Sequence, residues 1–498
     1  MPGAAHAWVM AEHIETPVLV VGGGPCGLLM ALLLARAGVS CVVCEKHPGI
    51  STHPKAMGIS RRTAEIYRQC GLLDAMMAED HAGPDTQLMI WAKSLVGEEF
   101  GRAPLPPHDP AISPCHPFRA PQTLTEKVLL EALATEPLAQ VLFGHRVTKI
   151  TQCDELVEVE IESPEGKMIA KAEWLIAADG SESPVRNLLG IGVDGPGDLG
   201  HFLNVFFKAD LKEATTGRES LLYNILRNDF VEFLVSVNGS DLWLMHHFLM
   251  PEETCPDEAA FIEKVRSAAG IPELEVQILG VAPWVMSPKV ATQFRSNRIF
   301  LVGDAAARLS PAGGMGMNTG LQSVHNLAWK LASVWHGIAV ETLLDSYEAE
   351  RRALSLAVMA HTNENSSEVF AQVRFALSEN WDGLRASIHG SHRQHEDTQF
   401  DVGVRYGESF RFPHVPLGED DGSSLDWFGG RFVVVAGKAS KVGASDLPEV
   451  FQIKTFPAEC GCGEDGVVLV RPDGFIAWIG KQGATNEDLR VALAAALQ

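Results

Sequence analysis

Positive charge, long apolar runs and paired cysteines are all scarce in this chain, and each shortage closes off a class of protein. Lys plus Arg number 40 against 63 for Asp plus Glu, a net charge of −23 over 498 residues. Such a surface repels nucleic acid and anionic lipid, so neither is an expected partner. The best apolar run, Leu28 to Ala35, stops at Arg36, far short of the roughly 20 residues that cross a bilayer. The N-terminal MPGAAHAWVMAEHIE carries neither the basic segment nor the apolar segment of an export signal, so a cytoplasmic protein is expected. The nine cysteines are odd in number and scattered, several inside apolar segments (Cys26, Cys41, Cys44), a pattern of reduced thiols and not of a disulfide framework. Cys460 and Cys462 in ECGCGED lack a second Cys/His pair nearby, so no metal site is expected. No covalent nucleophile stands out, and no internal repeat or low-complexity tract is present.

What is present is a long α/β pattern with room for two or three domains. PVLVVG leads through GGGPCG into the helical LLMALLLARAG and then the strand-like SCVVCEK, a strand–turn–helix–strand unit. Gly22, Gly24 and Gly27 match G-x-G-x-x-G in that turn, and Glu45 ends the next strand eighteen residues after Gly27. These are the contexts a dinucleotide-binding turn requires: glycines admit the pyrophosphate to the helix N-terminus, and the Glu45 carboxylate can accept from an adenosine ribose. Only one such fingerprint exists, so a nicotinamide nucleotide, if used, visits without a Rossmann unit of its own.

A second strand–turn–helix junction lies in RIFLVGDAAARLSPAGGMGMNTGLQSVHNLAWKLASVWHG, Arg298 to Gly337. Ile299 to Val302 suits a strand covered on both faces, while Leu321, Val324, Leu327, Ala328, Leu331 and Trp335 recur at helical spacing. Gly313, Gly314 and Gly316 let the backbone approach a ligand, and the helix aims unpaired N–H groups at it. From Leu203 to Leu249 the sequence is strand-rich, and DLWLMHHFLM as an alternating strand sends His246 and His247 to opposite faces. At most one of them faces a pocket; Trp243, Phe206 and Phe233 either line it or fill the core. The polar span Ser387 to Thr398 reads as a linker, followed by a small α/β module with FVVVAG, GVVLVRPDGFIAWIG and a terminal helix.

Three separated motifs, GGGPCG, AADGSESPVR and GDAAARLSPAGGMGMN, together resemble the class A FAD-dependent aromatic hydroxylases, the para-hydroxybenzoate hydroxylase-like flavin monooxygenases, over roughly the first 370 residues. STHPKAMGISRRTAEIYRQCGL and PCHPFRAPQTLTEKVLLEAL resemble the phenol hydroxylase and polyketide hydroxylase branch, and VLVRPDGFIAWIG resembles a strand pair of that branch's thioredoxin-like tail. The resemblance implies an α/β fold: a Rossmann-type FAD-binding domain (14–200 and 280–380), an inserted β-sheet substrate domain (201–279 with part of 80–120), and a thioredoxin-like C-terminal domain (400–498). It implies FAD contacts at Gly22, Gly24, Pro25, Gly27, Glu45, Lys46, Lys55, Gln122, Asp179, Gly180, Asp304, Pro311, Gly313, Gly314, Gly316, Met317 and Asn318. Asp304 would accept from a ribityl hydroxyl, and Gln122 would contact the diphosphate and ribityl region. Two departures stand out: Lys55 replaces the family's common Arg, and Ala307 replaces a His common in the branch.

The implied reaction uses NADH or NADPH to reduce FAD, forms a C4a-hydroperoxide with O2, and transfers OH to a small phenolic or polycyclic aromatic substrate. His246 and His247 are the candidates for a base that makes the substrate a phenolate. A Baeyer–Villiger or antibiotic-modifying monooxygenase, and a non-catalytic FAD-binding scaffold, are the alternatives. The chain is expected as a monomer or homodimer.

Overall fold

The computed structural model describes residues 8–10, 13–83, 85–105, 108–249, 255–391, 400–401, 403–406, 409–418, 422–442, 451–455 and 464–498. The fully buried Val18–Val20 run of the strand His13–Val21 lies at the centre of a nine-stranded sheet. Its path runs Arg295–Ser296, Ile299–Leu301, Gly166–Ala177, His13–Val21, Cys41–Glu45, Ala139–Phe143, and the four central strands pair in parallel. Parallel strands covered on both faces read as unbroken apolar runs, which is why alternation is missing here. Helices Pro25–Arg36 and Gly316–Trp335 contribute Leu28, Leu32, Leu321, Val324 and Leu331 to the same core as these strands. Both helices therefore begin at the same edge of the sheet, and their glycine turns become neighbours.

A second sheet of seven strands runs in the order Gln277–Met286, Gly200–Lys208, Leu242–Leu249, Val231–Ser236, Ser220–Leu226, Gln87–Ala92, Glu99–Pro104. One face, carrying Leu203, Val205, Phe207, Trp243 and Met245, packs on Phe261 and Val265 of the helix Glu258–Ala269. That helix is bounded by chemistry the sequence displays: Asp257 accepts from the Ala260 N–H at its start, and Gly270 at φ +77° ends it. The other face looks toward the 33-residue helix Asp345–Leu377.

The C-terminal region forms a four-stranded mixed sheet, in the order Phe451–Thr455, Phe432–Ala436, Val467–Val470, Ile476–Ile479, with the helix Asn486–Ala496 opened by a Thr485/Asp488 capping box. It is tied to the main body by a buried ionic cluster. Arg471 bonds both oxygens of Glu350 at 2.6 and 3.0 Å, and Lys330 reaches Glu350 at 2.9 Å.

The mixed α/β class agrees with the expectation from sequence. The expected linker is different: its first part, through Ser391, completes the helix Trp381–Ser391, because Leu384 and Ile388 are buried against Trp91 and Phe100. The helix after the second glycine turn begins at Gly316. Among the described residues no helix is long and apolar enough to cross a membrane. Cys460 and Cys462 lie outside the described residues.

Candidate active site

At the first turn, Gly22 sits at φ +108° where a Cβ would meet the Ala178 carbonyl oxygen at 2.3 Å, so only glycine threads between the two strand ends. Helix Pro25–Arg36 has no side-chain cap, and its first bond runs from the Leu28 N–H to the Gly24 carbonyl. The N–H groups before Leu28 therefore point out of the helix end, a ready anion site. Glu45 is already engaged: Oε2 accepts from the Gly23 N–H at 2.6 Å and Oε1 from the His47 N–H at 2.8 Å. Each oxygen keeps a second lone pair for a further donor.

The second turn faces the first. Gly313 (φ +110°) and Gly314 (φ +64°) precede the helix Gly316–Trp335, which also lacks a side-chain cap and makes its first bond from Thr319 to the Met315 carbonyl. Asn318 clamps this turn: its amide donates to the carbonyls of Gly58 and Gly314 at 2.9 and 2.8 Å and accepts from the Ser60 N–H at 3.0 Å. Its side chain is thereby committed to the loops, which leaves its backbone to face a ligand. Asp304 presents its carboxylate to the cavity, from which the side chain is accessible; the surrounding protein raises its pKa, opposed by Arg308 and Lys55. Asp179 accepts from the Ser183 hydroxyl at 2.6 Å and the Val185 N–H at 2.9 Å, and burial likewise raises it.

These turns open into one cavity of about 2020 Å³, well beyond the roughly 300–1,000 Å³ that suits a single drug-sized ligand. At Gly24, Gly180, Gly314 and Gly316 an added Cβ would meet nothing within 4 Å, and all four line the cavity with bare backbone. That cradle fits an extended dinucleotide such as FAD. Beyond it the cavity continues between the inner face of the seven-stranded sheet and the long helix, lined by Leu222, Phe233, Phe248 and Trp284 on one side and Val369, Phe370 and Val373 on the other.

Of the residues expected from sequence, Gly22, Gly24, Pro25, Glu45, Lys46, Lys55, Gln122, Asp179, Gly180, Asp304, Pro311, Gly313, Gly314, Gly316, Met317 and Asn318 all line this cavity. Gly27 is buried outside its lining; a Cβ there would come within 1.9 Å of the Gly22 carbonyl oxygen, so it serves helix-to-turn packing instead. His246 faces the chamber side, with its Nδ1 2.6 Å from Asn204 Oδ1. His247 turns to the helix Glu258–Ala269, where its ring meets Phe261 and its Nδ1 lies 2.7 Å from Glu232, although it too borders the cavity. Phe233 lines the chamber, whereas Trp243 is core and Phe206 packs beside Met57, Val237 and Leu244. Ala307, where the branch commonly has His, is buried in a short strand beside Val290.

Sequence reasoning missed Glu126, which joins Gln122 Nε2 at 2.7 Å to the Ser51 N–H at 2.7 Å. It also missed Asn204, Trp284 and the polar stripe His361, Asn365 and Gln372 on the long helix, all of which line the cavity. The helical spacing of that stripe was a usable signal. Asn204 and Trp284 gave none, because each is a single residue in an otherwise ordinary strand.

Two uncapped helix ends over a glycine cradle, with an apolar chamber attached, are the features of a protein that binds a dinucleotide cofactor and has room beside it for a second ligand. The sequence matches the family described as FAD binding domain over residues 15–362, and that described as aromatic-ring hydroxylase, C-terminal, over residues 408–498. The chain belongs to this family of FAD-dependent aromatic-ring monooxygenases. It is 33% identical to tetracenomycin A2 monooxygenase-dioxygenase of Streptomyces glaucescens, covering 93% of each chain. It resembles the structure of the flavin-dependent monooxygenase PieE in complex with FAD and substrate, at a TM-score of 0.89 and 25% identity, over 97% of this chain and 99% of that one. A ternary complex of aklavinone-11 hydroxylase with FAD and aklavinone matches at a TM-score of 0.83 and 27% identity, with the same coverage.

Proposed function

We propose that the protein hydroxylates a fused-ring aromatic compound carrying a phenolic hydroxyl, as its relatives named for tetracenomycin A2 and aklavinone suggest. The observation that carries this reading is the continuity of the cavity, from the bare glycine backbone into a chamber walled by Phe202, Phe233, Phe248 and Trp284. Trp284 stacks on Phe202 at 4.6 Å, and Phe248 meets Phe202 edge to face at 5.2 Å. Such a wall offers flat apolar area to a flat ligand.

When bound, FAD supplies the redox chemistry and the activation of O2 that the side chains lack. Gly22, Gly24, Pro25, Glu45 and Lys46 would hold its adenosine end, Gln122, Lys55 and Asp179–Gly180 its middle, and Asp304 with Pro311 to Asn318 its ring end. The helix Gly316–Trp335 would favour negative charge at that end by up to about 2 kcal/mol in a partly buried site. The apolar walls exclude water from the reacting ring. NADH or NADPH would reach the cavity as a visitor, and the C-terminal sheet would be a thioredoxin-like module that supports the body and carries no redox step.

The test is purified protein with FAD, both reductants and a panel of phenols, naphthols and anthraquinone-like compounds, with products read by mass spectrometry. Products heavier by one oxygen, with substrate-stimulated oxidation of the nicotinamide, are expected. Nicotinamide oxidation that no aromatic compound stimulates would refute the reading.

A further inference from the structure

Three strands bring Asn204, His246 and Trp284 to the chamber side of the seven-stranded sheet. Asn204 and His246 stand directly opposite each other in the register, and Phe233 is opposite His246 on its other side. Trp284 Nε1 lies 2.5 Å from Asn204 Oδ1, and His246 Nδ1 lies 2.6 Å from the same oxygen.

Donor chemistry determines the protonation pattern. An indole N–H only donates, so the Asn204 amide must turn its oxygen, and not its NH2, toward Trp284. The same oxygen then faces His246 Nδ1, which must also donate. A neutral His246 consequently carries its proton on Nδ1 and leaves Nε2 as a bare acceptor. Nε2 has no hydrogen-bond partner among the described residues, although the ring lines the cavity. Burial, reinforced by His53, pushes His246 down to about 4, so the ring is neutral near pH 7.

We propose that His246 Nε2 is the acceptor for a phenolic hydroxyl of the aromatic substrate, with Asn204 and Trp284 as positioning residues that hold its tautomer. This rests on the fused-ring reading above and adds to it the group by which the substrate is oriented. A bare acceptor in an aromatic chamber selects O–H donors and discriminates against a carbonyl or methyl ether at the same place. It does not take the proton outright. Burial holds the imidazole below its ordinary value, and a phenol is an ordinary weak acid with a pKa of about 10, so full transfer is unfavourable. His246 thus orients the ring and leaves it electron-rich by hydrogen bonding alone, a role other than the base for which it is a candidate from sequence.

The experiment measures calorimetric affinities of FAD-loaded protein for matched pairs of hydroxylated and O-methylated naphthalene, anthracene and tetracene. The wild type is expected to bind the hydroxyl member of at least one pair about ten-fold tighter, the size of one net hydrogen bond. His246→Phe is expected to bring that compound down to the affinity of its ether while leaving ether binding and FAD content unchanged. Asn204→Leu, which removes the oxygen that holds the proton on Nδ1, is expected to weaken the hydroxyl preference while the protein still binds the ether, and Asn204→Asp, whose carboxylate still accepts from Nδ1–H, is expected to keep it. This readout would not move if Asn204 were merely structural. If the wild type binds both members equally, or if folded His246→Phe keeps the preference, the His246 assignment is overturned; if folded Asn204→Leu keeps it in full, the positioning role of Asn204 is overturned; in each case the fused-ring reading stands. If no member of any pair binds, both fall together.

Discussion

Arg471→Met should destabilise the docking of the C-terminal sheet by about 3–5 kcal/mol, the usual cost of removing one partner from a buried ion pair. The wild-type cluster is electrically balanced: Arg471 and Lys330 face Glu350 and Asp473, and all four are largely or fully buried. The substitution removes two bonds to Glu350, at 2.6 and 3.0 Å, and two to Asp473, one of them at 3.0 Å from Nε. Glu350 keeps Lys330 at 2.9 Å, whereas the hydrogen bonds left to the Asp473 carboxylate among the described residues come from neutral donors, the Asn326 amide at 3.3 Å and the Phe475 N–H at 3.4 Å. The uncompensated charge therefore falls on Asp473. In the wild type, Arg471 holds the Asp473 and Glu350 carboxyls below their usual range against the opposing effect of burial. Their contribution to stability is present above about pH 4 and is lost as the pH falls below it. In the variant burial dominates, Asp473 is pushed upward, and protonation relieves the penalty. The gap between the two proteins should be wide at pH 8 and narrow toward pH 5. Urea unfolding followed by tryptophan fluorescence suits the measurement, since the Arg471 guanidinium lies 5.2 Å over the Trp329 ring. A gap below about 1 kcal/mol, or one that does not change between pH 8 and pH 5, would refute the reasoning.

Asp304→Ala should weaken FAD binding by about 1.5–3 kcal/mol if the carboxylate accepts a ribityl hydroxyl inside the cavity; an unchanged affinity in a flavin titration removes that role. Gly24→Val and Gly27→Ala should separate binding from packing. The first projects side-chain atoms into the open cradle and should lose FAD while keeping the melting temperature of flavin-free protein. The second drives a Cβ to 1.9 Å from the Gly22 carbonyl and should unfold the turn even without FAD. A stable Gly27→Ala protein, seen by thermal melting, would contradict the packing argument.

The glycine turns were legible in the sequence because their chemistry is local. A buried strand, a turn needing positive φ at Gly22, Gly313 and Gly314, and an uncapped helix are all properties of a few adjacent residues. Composition likewise determined the low positive charge, and the apolar runs marked the parallel strands. Sequence alternation also required that His246 and His247 part company, but it could not say which of them shares a face with Asn204 and Trp284. Only the tertiary structure decided that, through the register that seats His246 between Asn204 and Phe233 and leaves His247 to Phe261. A one-residue slip would exchange the two faces. The tautomer of His246 depends on Asn204, 42 positions away, which is itself set by Trp284, 80 positions from Asn204. The Arg471–Glu350 pair closes over 121 residues. No local pattern announces such pairs, because their energy comes from burial, and burial exists only once distant strands and helices have packed.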